Sequence, residues 1–205
     1  PGEMAIPYAL YVTFGMLLYL TFTESLLSSV RLFKSSRSLL AHVKIAPEAL
    51  ILSIFFRVLF NSSFRIIVML GLTTLMVHTD NLALPAQLLD YGIFLLLYPL
   101  LIIAGIAIGL FLAPFNAIYS DVERIVTLVI LPLRFATPVF YNISSTLLIV
   151  LNPVALFIVN LRGIATHQGL AHPLALFLWC GALGILFTVA AYLFHLAVPV
   201  LSERA

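Results

Sequence analysis

Ser53, Arg57, Asn61 and Arg65 recur every four residues, so a helix would carry them as one polar row. Guanidinium groups in such a row suit phosphate, because their planar N–H forks match its oxygens. The row interrupts an apolar stretch, 47–77, which as a helix would reach roughly 46 Å and exceed the ~30 Å hydrocarbon core of a bilayer. Arg57 and Arg65 therefore each have two readings. They contact an anionic substrate, or they serve structure, Arg57 by snorkelling to the headgroups. Arg134 stands between Pro132 and Pro138. Prolines leave helix carbonyls without donors, so its guanidinium either fills those carbonyls or meets substrate. Phe135, Phe140 and Tyr141 lie beside it, as an interfacial aromatic belt or as a platform for sugar rings. Glu24 is expected to pair with Arg31 or with the second apolar stretch, since buried charges pair.

Other chemistries lack their residues. There is no G-x-x-x-x-G-K-[ST], H-E-x-x-H or G-x-S-x-G sequence, so the chain carries no nucleotide-binding loop of its own. The single cysteine, Cys180, excludes an internal disulfide, and the five histidines are scattered. His167 and His172 are too weak a pair to predict a metal. Asp121 and Glu123 are close in sequence but lack the histidine or metal site that a membrane-embedded transferase would set against them. A nucleic-acid partner is not expected.

The elements that must position these residues are membrane helices. Of 205 residues, 63% are hydrophobic and 9% charged, and the mean hydropathy is +1.18; a soluble domain is about 25% charged. Five stretches are long enough to span: 7–30, 47–77, 88–113, 125–141 and 173–198. A sixth, 144–159, is short and broken at Asn152-Pro153, and is followed by Asn160, Arg162 and Gly163. It predicts a re-entrant helical hairpin rather than a full span, because irregular backbone at membrane depth must be buried in protein or line water. Five spans sort the charges. The 31–46 and 114–124 loops and the C-terminal tail hold Arg31, Lys34, Arg37, Lys44, Arg124 and Arg204, and the opposite side holds only Arg162. The positive-inside rule then puts the first group in the cytoplasm. The segment 31–48, RLFKSSRSLLAHVKIAPE, is basic and also carries Leu39, Leu40, Val43 and Ile45, an apolar side that a solvated loop would not need. It predicts a short amphipathic helix that docks a cytoplasmic partner.

Three stretches, in order, resemble ABC-2-type permeases. IPYALYVTFGMLLYLTFTESLLSSVRLFKSSRSLLAHVKIAPEAL is similar to their "PYplF-x-x-G-l-l-x-W-x-x-F" span and the basic loop that follows it. PFNAIYSDVERIVTLVILPLRFATPVFY resembles their "N-x-x-x-R-D" loop and the helix ending in "TPVfY". LNPVALFIVNLRGI resembles their "LNP…R" element, and the ending VPVLSERA their short "ER" tail. The likeness covers most of the chain and is strongest to permeases that export O-antigen, teichoic acid and related polysaccharides. Two positions depart from the pattern: Tyr19 stands for the usual Trp, and Ser120 for the Arg before Asp121.

The resemblance implies an all-α integral membrane protein with an ABC-2, type V exporter-like transmembrane domain. Residues 1–205 would form a single transmembrane domain, a fragment lacking the family's N-terminal amphipathic helix and first span. The 31–48 loop would be the cytoplasmic coupling loop, with Ser38, Leu39, Leu40, His42, Val43, Lys44 and Ile45 entering an ATPase, and Asp121, Glu123 and Arg124 a second surface beside it. Arg57, Asn61, Arg65, Arg134, Phe135, Phe140 and Tyr141 would line a substrate pathway. The 142–171 element would be an outer gate with Asn152, Pro153 and Arg162. The partners implied are a second permease copy, two nucleotide-binding ATPase subunits that hold ATP and Mg, a lipid-linked glycan and membrane lipids. The chain itself would need no cofactor and would sit in a bacterial cytoplasmic (inner) membrane. A permease for a small amphipathic drug or lipid is the competing reading within transport.

Overall fold

The computed structural model describes residues 7–36, 47–76, 84–119, 121–141 and 145–202. These residues form helices joined by turns, with no strand among them. The helices, in chain order, are α1 Tyr8–Val30, α2 Pro47–Met76, α3 Leu84–Ile118, α4 Asp121–Phe135, α5 Thr146–Leu151, α6 Pro153–Ala165 and α7 Pro173–Ser202. Residues 32–36 are also helical. Four helices, α1, α2, α3 and α7, are long and apolar enough to cross a membrane, and the protein is an all-helical membrane protein on that ground.

The centre of the bundle is α1 packed on α3. Over their apolar windows α1 is 61% buried and α3 56%, against 17% for α2 and for α7. The two outer helices turn Leu52, Phe56, Phe60, Phe64 and Ile67, and Leu174, Phe177, Leu178 and Ile185, away from the protein. In lipid this exposure costs little, because hydrocarbon is as apolar as the side chains; tight contact must come from close packing instead. Gly105 and Gly109 supply it. They lie one helical turn apart on α3, against Ser25 and Ser29 on α1, and a Cβ on Gly109 would come within 2.4 Å of the Leu26 carbonyl oxygen. Ser25 and Ser29 turn their hydroxyls onto α1's own carbonyls, Phe22 and Ser25, so the interface stays free of unpaired polar atoms.

The stretch expected to span over 125–141 is built differently. It is helical only over Asp121–Phe135 and turns at 136–141. Pro138 has no N–H to continue the helix and disfavours helical backbone at Thr137. Even so, 121–141 runs antiparallel to α1 along nearly its full length. Glu123 meets Arg31, the Ile130 carbonyl meets Tyr19, the Pro138 carbonyl meets Tyr11, and the Phe140 carbonyl meets Tyr8. Tyr11 and Arg31 are 20 residues apart on the helix, about 30 Å, the thickness of a hydrocarbon core. The bundle therefore has a basic end, at Arg31, and an aromatic end, at Tyr8 and Tyr11.

After Tyr141 the chain makes two short helices, α5 and α6, and returns to the aromatic end. There His167 reaches Asp90, near the start of α3. Asn152 separates α5 from α6. Its Oδ1 accepts from the amides of Val154 and Ala155, at 3.1 and 3.4 Å, and Pro153 takes the first position of α6. An Asn cap followed by Pro is a standard helix start, since both suit the unbonded first turn. The Trp179 indole donates to the Val150 carbonyl at 2.7 Å and fixes α5 against α7.

Candidate functional site

At the basic end Glu123 receives two cations. Arg31 Nε donates to its Oε1 at 2.8 Å and Lys34 Nζ to its Oε2 at 3.4 Å. Asn116 completes the cluster. Its Oδ1 accepts from Lys34 Nζ and from the Glu123 amide, and its Nδ2 donates to the Val30 carbonyl at 2.9 Å. Partial burial pushes the Glu123 carboxyl up, but the Arg31 and Lys34 charges and hydrogen bonds outweigh it and hold the group below its ordinary value. The cluster thus ties the start of α4 to the chain leaving α1. Asp121 and Arg124 lie beside it and are largely exposed, 3.7 Å from each other. Ser38, Leu39, Leu40, His42, Val43, Lys44 and Ile45 lie outside the described residues.

Further in, α1, α2 and α3 share a polar network. Glu24 takes Arg65 Nη2 at 2.5 Å on Oε2 and Asn61 Nδ2 at 2.7 Å on Oε1. Arg65 Nη1 donates to Thr21 Oγ1 at 3.1 Å, and Thr21 shares a 2.7 Å hydrogen bond with the Tyr98 hydroxyl. The expected partner of Glu24 on the second span is therefore Arg65. The row from Ser53 to Arg65 divides. Asn61 and Arg65 turn to α1, whereas Arg57 is exposed and Ser53 donates to its own Leu50 carbonyl. Since Asn61 meets Glu24 and Arg65 meets Thr21 on antiparallel helices, Arg57 lies level with about Ser29, a turn from the basic end. That depth favours the snorkelling reading of Arg57.

Arg134 meets neither a carboxylate nor a carbonyl among the described residues. Its guanidinium lies 5.5 Å from the centre of the Tyr19 ring, a cation–π contact. Its Nε is buried and has no partner among the described residues. Tyr19 is 12 residues from Arg31 and 8 from Tyr11, so Arg134 sits close to mid-depth. The helix that carries it, α4, buries none of its residues. The carbonyls freed at the end of α4 are filled by other groups. Arg134's own carbonyl accepts from Thr137 Oγ1, that of Phe135 from the Tyr141 hydroxyl, that of Ala136 from Asn152 Nδ2, and that of Pro138 from Tyr11 and Arg162. In hydrocarbon such filling is obligatory, and the side chain of Arg134 takes no part in it.

At the aromatic end Phe135 and Phe140 pack ring against ring, 5.7 Å apart, and Tyr141 closes the cluster through its bond to Phe135. Phe135 and Tyr141 are about half exposed. Arg162 is 5% exposed, lies 3.6 Å over the Tyr11 ring and donates to the Pro138 carbonyl at 2.7 Å. Gly15 makes room for it, since a Cβ there would come within 2.6 Å of the guanidinium. Asn160 is fully buried and its Oδ1 accepts the His172 amide at 3.0 Å. Among the described residues no three His, Cys, Asp or Glu gather as a metal site.

Sequence reasoning passed over Tyr98, Asn116 and Asp90, each a polar group on the apolar helix α3. Their spacing on that helix carries no period; what marks them is only that a polar side chain at depth needs a partner. No protein-family model matches the chain, and no curated protein does.

Proposed function

We propose that this protein is the membrane permease subunit of an ATP-driven exporter, moving a lipid-linked polysaccharide such as O-antigen or teichoic acid across a bacterial cytoplasmic membrane. The observation that supports it most is Arg134: a near-mid-depth guanidinium met by a ring but by no acid or carbonyl among the described residues, on a helix that buries none of its residues, next to the Phe135–Phe140–Tyr141 cluster. An intramembrane cation kept without a counter-charge is by default a functional one. Here it is available to the phosphates of a lipid carrier, and the exposed rings to sugar faces. Arg65 is engaged by Glu24, so its part in the pathway would require that pair to open. The energy would come from two nucleotide-binding subunits that bind ATP and Mg, docked under a permease homodimer at the 31–48 segment and the Asp121–Glu123–Arg124 surface. The 142–171 element, with Asn152, Pro153 and Arg162, would close the far end.

The test is to tag the natural protein, extract it in mild detergent and identify what accompanies it. A stoichiometric P-loop ATPase, lost when Leu39 and Val43 are changed to Asp, is the expected result. A reproducible absence of any ATPase in several detergents would remove the ATP-driven reading. Arg134→Gln should abolish glycan export with the complex intact, and normal export in that variant would take Arg134 out of the pathway.

A further inference from the structure

His167 is a sealed side chain at the end of the α5–α6 element. Its backbone is left-handed, φ 60°, and it is the only non-glycine residue with positive φ among the described residues. That backbone ends α6 as a helix cap: the His167 amide donates to the Ile164 carbonyl at 3.0 Å and the Gln168 amide to the Gly163 carbonyl at 2.8 Å. Its side chain is 3% exposed. Its Nε2 is sealed from solvent without a partner among the described residues, which forfeits a hydrogen bond to water.

One strong contact offsets the loss at Nε2. His167 Nδ1 lies 2.7 Å from Asp90 Oδ2, and the ring rests against Tyr91, 5.1 Å between centres. Asp90 and Tyr91 belong to α3, a central helix of the bundle, while His167 ends the two-helix element α5–α6. The turn that carries His167 is itself cramped: Gly163 and Gly169 approach so closely that a Cβ on Gly163 would meet the Gly169 carbonyl at 2.5 Å. The other ties at this end hold the α5–α6 element to α1, to the 136–141 turn and to α7, through Arg162, Asn152 and Trp179. The Asp90–His167 bond ties that element to α3.

We infer that the Asp90–His167 pair is a latch, holding the end of the α5–α6 element against α3 and freeing it when the bond breaks. On release Nε2 reaches water, which favours the open form. The latch stands independently of what, if anything, the protein transports.

The test is amide hydrogen exchange on the full-length protein in lipid nanodiscs, read by mass spectrometry over 153–172. Asp90→Ala and His167→Gln should each accelerate exchange in that segment at least tenfold, with α1 and the middle of α3 unchanged. The double variant should add little to either single one, because both remove one bond. Asp90→Asn, which retains an acceptor oxygen, should fall between wild type and Asp90→Ala and covers the case in which the alanine variant fails to assemble. Unchanged exchange in Asp90→Ala and His167→Gln overturns the latch. So does acceleration spread evenly over all helices, which would make the pair a general support of the fold.

Discussion

Buried charge in the bundle is met in two ways. Arg134 and Arg162 lie over tyrosine rings, Arg162 with a carbonyl besides, while Glu24 and Arg65 neutralise each other. Each side chain of the pair is about one-fifth exposed, 22% and 17%, so the cost of breaking it should fall below that of a fully sealed pair. Glu24→Gln should destabilise the protein by about 2–3 kcal/mol, since it leaves the Arg65 guanidinium at depth with no counter-charge. Adding Arg65→Gln should restore much of the loss; unfolding of the two single variants and the double in one detergent is the measurement, and additive losses would mean that the charges do not act as a pair. Glu123 predicts a pH effect. Its folded carboxyl is held below the ordinary value, so the cluster stabilises above the unfolded carboxylate range and the gain is lost as pH falls through the folded value. Arg31 and Lys34 are 50% and 39% exposed, which limits the effect to less than about 1 kcal/mol. The stability difference between wild type and Glu123→Gln should be present at neutral pH and vanish in acid; a constant difference would assign it to packing.

At the scale of elements, the two central helices are held by glycines as much as by large apolar side chains. A Cβ on Gly105 would fall 1.8 Å from Ser25 Oγ and 2.8 Å from the Phe22 carbonyl. Rotating the serine relieves only the first clash. Gly105→Val and Gly109→Val should therefore part α1 from α3, each costing about 1–3 kcal/mol or preventing assembly. Gly92→Ala and Gly181→Ala, which meet nothing within 4 Å, should be tolerated, and the comparison of the four in a thermal unfolding series checks the argument. The apolar lengths at 7–30, 47–77, 88–113 and 173–198 are legible in the sequence because hydropathy is all that a lipid-facing helix requires. The close packing is not, since a glycine pair reads the same whether it meets a helix or lipid. Nor is the shape of 121–141: its apolar length reads as one span, whereas the end of the helix is decided by Pro138 and by five side chains, from Thr137 to Arg162, that arrive to fill its carbonyls. At the site, the need of buried charge for a partner predicts that Glu24 is paired and narrows the partner to Arg31 or the second span; the structure selects Arg65. The indifference of Arg134 to the freed carbonyls does not follow from that need, because it depends on which way the guanidinium turns at the side of α1.

For the whole molecule, the two polar ends, about 30 Å apart along α1, give the bundle a direction that the charge asymmetry orients. Arg31, Lys34 and Glu123 mark one end; Tyr8, Tyr11, Tyr141 and His167 mark the other. The chain reaches the aromatic end at Tyr141 and is still there at His167, so α5 and α6 begin and finish on one face although they contain 19 helical residues between them. This path determines which way α7 runs. Phe194 stacks on Phe33 at the basic end, 4.4 Å between ring centres, so α7 descends from the aromatic end and carries the chain to the side of Arg31. Single cysteines in a Cys180→Ala background test the arrangement with a thiol reagent that does not cross membranes. Ser35→Cys should react only after the cytoplasmic face is opened, whereas Thr146→Cys and Gln168→Cys should both react in intact cells. Protection of Thr146→Cys with labelling of Gln168→Cys would show that the short helices cross the membrane, and would make the shared end of Tyr141 and His167 incompatible with the path of the chain. Labelling of all three from outside would overturn the orientation read from the arginines and lysines, and with it the expectation that a cytoplasmic ATPase meets the 31–48 segment.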